Sequence, residues 1–548
     1  MNAIQENLFQ LLVEFDELCN KYDIDYILAA GAGLGAVRNH RFLPWDDDID
    51  LYLTQENWNK LRYIVENEKD VLPEGRSLVY NENTPYYCNP LPRYVNTTTT
   101  TMYRSQALTG EACGQHLELF IFDPMPVGEK EQEEYLKLSR LYAELLSPYF
   151  VTNKNTNLED WKEHYKLYVQ YCKRIDEEGE DAVFKELEEK LQNFPAEDSE
   201  MFCMRWGIKV YKYDKKHFGE NEYGLFEGKY FPIGYNPEGI LRVAYGDNWM
   251  YVPEPDEQIV HNAIKYDDMS FHEFTDRYLK KINRESVFKK FKRNKRNLAK
   301  VFSNKIKVST LVAKEKIVVG AKHLNEQIVG KEDYLRSLLE NKNYDELKEK
   351  FKLYNSLQMM GDARRFGLSV PISDKNLATW LLCLIETGQY FNAAKFLAIR
   401  KLKDAPLTDE LKQIEEETDF CRQLSIARYD EKDEEAVQNL IDEGKSRYPE
   451  LLDIYRAILW IKDNNAENKE DFSEINDICE EALTLYPFDG EIMAIYARAQ
   501  LKVGNSEKSD EFYRKSIDNT RNGLIWQKVE DETGISRIEI ERDLIEGN

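Results

Sequence analysis

The residues best suited to chemistry are a run of carboxylates, Asp46-Asp47-Asp48-Ile49-Asp50, set between Trp45 and the apolar positions Ile49, Leu51 and Leu53. Successive side chains of a strand point to opposite faces. A strand over 48–53 therefore puts Asp46, Asp48 and Asp50 on one face and anchors the other with Ile49, Leu51 and Leu53. Two carboxylates one strand repeat apart hold a divalent cation between them. Hard cations such as Mg²⁺ or Mn²⁺ take oxygen ligands and share them with substrate phosphates. An acidic run is ordinarily a solvated loop; the flanking apolar alternation marks this one as a candidate site. Further on, Glu118 stands among the apolar residues of His116–Pro124. A buried lone carboxylate is costly unless paired or metal-bound. The alternative for Glu118 is an exposed place on an edge strand. Beside Asp48 and Asp50 it completes a three-carboxylate site, one acid of which activates an attacking hydroxyl.

Just upstream lies Gly31-Ala32-Gly33-Leu34-Gly35-Ala36-Val37-Arg38. Small residues let backbone N–H groups approach a phosphate, and a following helix presents its N-terminus to the anion. Gly31 and Gly35 are thus candidate phosphate contacts, with a plain turn as the alternative. Arg38 is either a bidentate phosphate donor or a surface arginine. Arg93 and Arg104 bracket Thr97–Thr101, which reads as a cleft lining or a hairpin.

The elements that must position these groups are legible from periodicity. Asn7–Tyr22 reads as an amphipathic helix on Leu8, Leu11, Leu12, Phe15 and Leu18. Tyr26–Ala30 suits a buried strand, and 116–124 a second one. Thr54 caps a helix carrying Trp58, Leu61, Ile64 and Val65. Residues 130–193 are helical and highly charged, and the stripe Trp161, Tyr165, Tyr168, Tyr171 reads as core.

A chain of 548 residues with 42% hydrophobic content has room for two or three domains. Its net charge of −26 excludes a general nucleic-acid binder, which needs a basic footprint. Eight scattered cysteines without a C-x-x-C pair fit a reducing compartment and supply no zinc pattern. The start Met1-Asn2-Ala3-Ile4-Gln5-Glu6 lacks the basic and apolar regions of a signal peptide, and no apolar run reaches transmembrane length. The expected location is the cytoplasm, with the inner face of a membrane as a peripheral site.

The segment "GLGAVRNHRFLPWDDDIDLYL" resembles the signature of LicD-family phosphotransferases, relatives of fukutin and fukutin-related protein. "HLELFIFDPMP" resembles the family's second acidic strand, with Glu118 where an aspartate is usual. "LFEGKYFPIGYNPEGILRVAYGDNWMYVPEPDEQIVH" resembles its closing block, with Tyr245-Gly246-Asp247 and then His261. The departures include Ala30 for a usual glycine, Ala32 for a usual threonine and Asn39-His40 for a usual His-Lys pair. The resemblance covers residues 1–265. It implies a nucleotidyltransferase-type α/β (α+β) fold, and transfer of a phospho-alcohol from a CDP-linked donor to a sugar hydroxyl of a glycan or lipid-linked glycan, with CMP leaving. Phosphocholine and polyol phosphates are such groups, and teichoic-acid precursors such acceptors. By the same resemblance Asp48, Asp50 and Glu118 are the metal and catalytic acids, with Mg²⁺ or Mn²⁺ as cofactor. Gly31, Gly35, Arg38, Arg93 and His261 are assigned to the bound nucleotide.

The remainder is organised differently. Residues 280–322 reverse the sign of the charge, with Phe288, Phe291, Leu298 and Phe302 interleaved among Lys and Arg. Three readings stay open: a basic helix on anionic lipid, docking on the protein's own acidic helices, or a solvated linker. From 333 to about 535 the chain reads as helical hairpins. "ALTLYPFDGEIMAIYARAQLKVGNSEKSDEFYRKSI" resembles a tetratricopeptide unit, with Pro487 ending one helix, Gly504 in the turn and Tyr513 in a packing position. The expected order is a catalytic domain over 1–278 with a helical insertion over about 130–222, a basic linker over 279–330, and an all-α tetratricopeptide-like repeat domain over 331–548. Such repeats form concave surfaces for a protein partner or a second copy. Two other functions stand beside the transferase: a nucleotidyltransferase moving NMP on the same fold, and a non-catalytic scaffold built on the repeats.

Overall fold

The computed structural model describes residues 1–84, 87, 89–103, 113–146, 158–192, 199–204, 212–218, 221–253, 258, 263–283, 285–287, 311–312, 314–315, 318–320, 324, 327–359, 372–401 and 406–534. The chain divides into two compact units, one of residues 1–246 with 254–307 and one of residues 247–253 with 308–548.

The first unit is built on a mixed sheet. Helix α1 (Ala3–Tyr22) opens with a capping box, in which the Asn2 side chain accepts from Gln5 N and Gln5 Oε1 accepts from Asn2 N. The remaining Gln5 amide donates to Leu43 O and Asp46 O, at 3.4 and 3.0 Å, so the helix start also ties down the acidic loop. Strand β1 (Ile27–Ala29) turns directly into α2 (Ala30–Arg38). Ala30 sits at φ 43°, a left-handed conformation that costs a non-glycine residue about 1 kcal/mol. The resembled pattern has glycine there. The glycine run is therefore not a turn ahead of a helix: it is the helix. Gly35 packs inward, and a Cβ there would lie 2.5 Å from Arg41 O and 3.1 Å from the Phe226 ring.

Strand β2 (Ile49–Thr54) begins one residue later than the alternation predicts, leaving Asp46 and Asp48 in the approach to it. Thr54 caps α3 (Gln55–Asn67) by accepting from Asn57 N. Next come β3 (Arg76–Val79), β4 (Arg93–Tyr103) and β5 (Cys113–Pro124). Helices α4 (Glu129–Leu146), α5 (Leu158–Glu178) and α6 (Glu180–Gln192) form the insertion. The segment then returns as β6 (Met201–Met204) and β7 (Lys212–Asp214), so the region to 222 is not wholly helical: β6 pairs with β5 and extends the sheet. The order β1-β2-β5-β4 is completed by β10 (Ala263–Tyr266), antiparallel to β4. Only β2 and β5 run parallel within this row.

One face of the sheet is the main core. Ile49, Leu51, Leu53, Leu117, Leu119 and Ile121 bury themselves against Leu11, Leu12 and Phe15 of α1 and Trp58 and Leu61 of α3. The strand period sends Asp50, Tyr52, Glu118, Phe120 and Phe122 to the other face. There the aromatic residues join Tyr213, and Tyr52 and Tyr213 share a hydroxyl–hydroxyl bond of 3.1 Å. The hairpin β8 (Glu222–Phe226) and β9 (Lys229–Gly234) turns at Glu227-Gly228, both at positive φ. Glu227 Oε1 accepts from Phe42 N at 2.9 Å and the Phe226 ring lies tilted against Phe42, centroids 4.8 Å apart, which braces the loop leading into the acids. Helix α7 (Pro237–Tyr245) closes the unit's long contiguous stretch.

The second unit is a succession of helices from Glu332–Glu340 to Gly523–Thr533. Helix Lys469–Leu485 stops just before Pro487, helix Gly490–Val503 ends on Gly504 at φ 106°, and Tyr513 is buried. Residues 247–253 belong here, bridged by Val252 N to Arg521 O and Gly523 N to Met250 O, both at 2.7 Å. The element Tyr245-Gly246-Asp247 thus spans the division. Most of the basic stretch 280–322, and with it Phe288, Phe291, Leu298 and Phe302, lies outside the described residues. Among those described, no helix is long and apolar enough to cross a membrane, and the cysteines are buried thiols without a disulfide.

Candidate functional site

Strand pairing lines up four residues across the sheet: Ala29 opposite Asp50, Asp50 opposite Glu118, Glu118 opposite Arg93. Neighbours in such a row lie about 4.8 Å apart and share a face. Asp50 and Glu118, 68 positions apart in the chain, are thereby made adjacent, and like charges placed so destabilise a sheet.

Glu118 is compensated. Arg93 donates to its Oε1 through both Nε, at 3.0 Å, and Nη2. Asn89 reaches the same oxygen at 3.4 Å, and His116 Nε2 lies 3.7 Å from it. Burial pushes the Glu118 carboxyl up, but the Arg93 charge and His116 outweigh it and hold the group down at about 2. Every one of these contacts falls on Oε1, which leaves Oε2 for another cation. Arg93 is only 2% exposed, packed between the Tyr87 and Tyr103 rings at 5.8 and 5.6 Å. His116 Nδ1 donates to Gly114 O at 2.8 Å, and burial with the Arg93 charge lowers its affinity for a proton, against the pull of Glu118.

Asp50 is left in the opposite condition. Burial, then the charges of Asp48, Glu118 and Asp46, raise its carboxyl well above the usual range, and the Arg93 charge opposes them. Its Oδ1 is buried with no hydrogen-bond partner among the described residues. Tyr103 faces the same acids: burial and then Glu118 raise its hydroxyl, Arg93 lowers it, and Asp48 and Asp50 add to the rise, which keeps the phenol protonated. Asp47 turns elsewhere, onto Lys265 of β10, with Nζ 2.6 Å from Oδ2.

Of the residues singled out from sequence, Asp48, Asp50, Glu118 and Arg93 converge here, and Asp46 with them. Gly31 has a packing part that its type did not announce. It lies in the first turn of α2, and a side chain on it would run into the Asp46 carboxylate, so glycine is what lets Asp46 approach the helix start. Gly35 is a packing residue. Arg38 is 1% exposed and donates from Nε to Asn39 Oδ1 at 3.0 Å. His261 and Arg104 lie outside the described residues.

Tyr87, Asn89, Tyr103, His116 and Lys265 went unmarked in the sequence. His116 shares the Glu118 face by strand period, which was a usable signal. Lys265 is 218 residues from Asp47 and had none.

No three acidic, histidine or cysteine side chains among the described residues stand gathered in ligating geometry. The donor set is nonetheless carboxylate oxygen, the chemistry of a hard divalent cation. The buried Asp50 Oδ1 and the excess of acids over cations in the row fit one.

Residues 23–102 match the LicD/FKTN/FKRP nucleotidyltransferase domain family. The chain is 23% identical over 274 residues to the lipopolysaccharide cholinephosphotransferase LicD of Haemophilus influenzae, covering 47% of this chain and 94% of that protein. It is also 26% identical over 157 residues to an uncharacterized Rickettsia typhi protein, covering 28% and 39% of the two chains. A third relative, an uncharacterized protein of Rickettsia prowazekii, is 37% identical over 59 residues, 11% of this chain and 22% of its own. No solved structure matches significantly.

Proposed function

With a LicD-family domain at residues 23–102, we propose that the first unit is a transferase moving a phospho-alcohol, such as phosphocholine, from a CDP-linked donor to a sugar hydroxyl of a cell-surface glycan or its precursor. The observation that carries the reading is the in-register pairing of Asp50 with Glu118 inside a cluster that also holds Asp46 and Asp48. Carboxylates brought so close that one carries a strongly raised proton affinity are a functional arrangement more than a structural one.

Asp48, Asp50 and Glu118 Oε2 would hold Mg²⁺ or Mn²⁺. When bound, the ion offsets charge on the donor's phosphates and on the leaving oxygen. Arg93 fixes Glu118 by occupying Oε1, and it is itself held by the Tyr87 and Tyr103 rings. Asp47 is kept out of the cluster by Lys265. The acceptor oxygen attacks the phosphorus bearing the alcohol, the bond from that phosphorus to the CMP oxygen breaks, and the hydroxyl proton passes to a carboxylate of the cluster. Alignment of the two reactants supplies much of the rate. The same face continues into the aromatic group Tyr52, Phe120 and Phe122, a wall that excludes water on one side.

The test is incubation of the full chain with CDP-alcohols, Mg²⁺ and a glycan acceptor. The reading expects release of CMP that depends on both metal and acceptor. Transfer of the nucleotide itself, with the alcohol phosphate released, would replace it with the nucleotidyltransferase reading on the same acids.

A further inference from the structure

Beyond the C-terminal end of β2 the first unit has a polar cleft of about 100 Å³. Gln55, Asn59 and Arg62 reach it from α3, and Asn81 and Glu82 from the segment between β3 and β4. The insertion supplies another wall through Tyr142 of α4, whose hydroxyl donates to Glu188 of α6 at 2.9 Å. The apolar lining is buried, with the Trp58 and Tyr80 rings edge to face at 5.4 Å.

The polar groups of the cleft are short of partners within the protein. Gln55 donates to Asn59 Oδ1 and Asn81 to Tyr87 O, both at 2.9 Å. Beyond these, Gln55 Oε1, Asn59 Nδ2 and Asn81 Oδ1 make no hydrogen bond among the described residues. Arg62 makes only long ion pairs, 3.9 Å to Glu66 and 3.6 Å to Glu82. Donors (Asn59, Arg62) therefore stand open beside acceptors (Gln55, Asn81, Glu82). An anion asks only for donors and a cation only for acceptors, whereas each hydroxyl of a sugar both donates and accepts. A ligand that displaces water from such groups must reproduce both kinds of bond. Glu82 and Glu188 outnumber Arg62 in the lining, which further opposes an anion.

The cleft adjoins the acidic row. Its lining residues Pro90, Leu91 and Pro92 lie between Asn89 and Arg93, both of which contact Glu118 Oε1. Pro92 O also accepts from Leu119 N at 2.9 Å, which fixes this segment to β5.

We propose that this cleft holds an uncharged sugar ring of the acceptor glycan, its hydroxyls bonded to Gln55, Asn59 and Arg62, with the glycan running past Asn89 toward the acids. The proposal rests on the transferase reading for the word acceptor; the binding of a neutral sugar does not.

The test has two arms. In the first, methyl glycosides of glucose, galactose and N-acetylglucosamine are added to the full chain without metal or nucleotide, and binding is read by saturation-transfer NMR. Phenyl phosphate and benzyltrimethylammonium are run alongside. At least one glycoside binds, more tightly than either charged compound, and replacing both Asn59 and Arg62 by alanine weakens it about tenfold, about 1.4 kcal/mol. Gln55→Ala weakens the same glycoside and keeps the test open should the double variant not fold. In the second arm, CMP release is followed with CDP-choline and the glycoside that binds. The double variant raises the KM for the glycoside and not that for CDP-choline. Glycoside binding that the substitutions weaken, without CMP release from any CDP-alcohol, defeats the transferase reading and leaves the sugar cleft standing. Failure of every glycoside to bind overturns the proposal. So does equal binding of a charged compound, binding that survives the substitutions, or CMP release whose glycoside KM does not move.

Discussion

Two groups of buried charge in this protein follow opposite rules. On the sheet, Asp46, Asp48, Asp50 and Glu118 are gathered with Arg93 as the cation that opposes Asp50's rise. In the helical unit, Arg428 and Arg456 meet Asp453, Asp489 and Glu491 in a connected set of pairs. The second arrangement neutralises itself, so its loss is paid in stability. The first leaves Asp50 with a raised proton affinity and a buried oxygen without a partner. That is the pattern the proposed function expects of a group kept for chemistry rather than for folding.

The comparison breaks most sharply at its centre. Asp50→Asn lowers transfer by on the order of 10²–10³-fold, while the melting temperature holds or rises because one like charge has gone. Paired assays of CMP release and thermal unfolding check both halves; a large loss of stability would place Asp50 with the structural charges. In the helical unit Asp453→Asn has the reverse character. It strips a partner from Arg428 and brings a cost of about 3–5 kcal/mol, read from denaturant unfolding. Glu118 stands between the two, since it both pairs with Arg93 and faces Asp50. Glu118→Gln leaves a buried guanidinium unpaired and costs about 3–5 kcal/mol. Replacing both Arg93 and Glu118 by methionine recovers most of that stability and none of the transfer.

A smaller effect tests charge placement in the helices. Burial and the neighbouring Glu386 raise Glu417 from 4.5 to about 7. The folded protein then holds a proton that the unfolded chain releases. This stabilisation is complete below the unfolded value and is lost as pH rises through about 7. Urea unfolding of the helical unit therefore shows higher stability near about pH 5 than near about pH 8, and Glu417→Gln flattens the difference.

The site was legible where chemistry and local period coincide. The alternation around Asp48 and Asp50 marks a strand with an acidic face, and the apolar run around Glu118 marks another. Strand order and register then make Asp50 and Glu118 neighbours, which neither segment announces alone. Compensation was less legible. Arg93 carries no sign of its partner, and Lys265 reaches Asp47 through a strand at the far end of the sheet. The glycine run has a packing role that the sequence does not separate from phosphate binding: glycines that allow a helix to pack against Asp46 and Arg41 look in sequence like glycines that cradle a phosphate. Similarly, the charge of the insertion concealed two strands, because Met201–Met204 and Lys212–Asp214 are too short for period to show. In the helical unit, the breaks at Pro487 and Gly504 were readable, whereas the placement of 247–253 against 521–523 depends on backbone bonds with no side-chain signature.

The account turns on whether the acidic row holds a divalent cation. The most direct measurement is calorimetric titration of Mg²⁺ into the full chain in the presence of CMP, for the unaltered protein and for Asp50→Asn. The account predicts saturable binding that the substitution abolishes while the fold is retained. Equal binding by both proteins would contradict it.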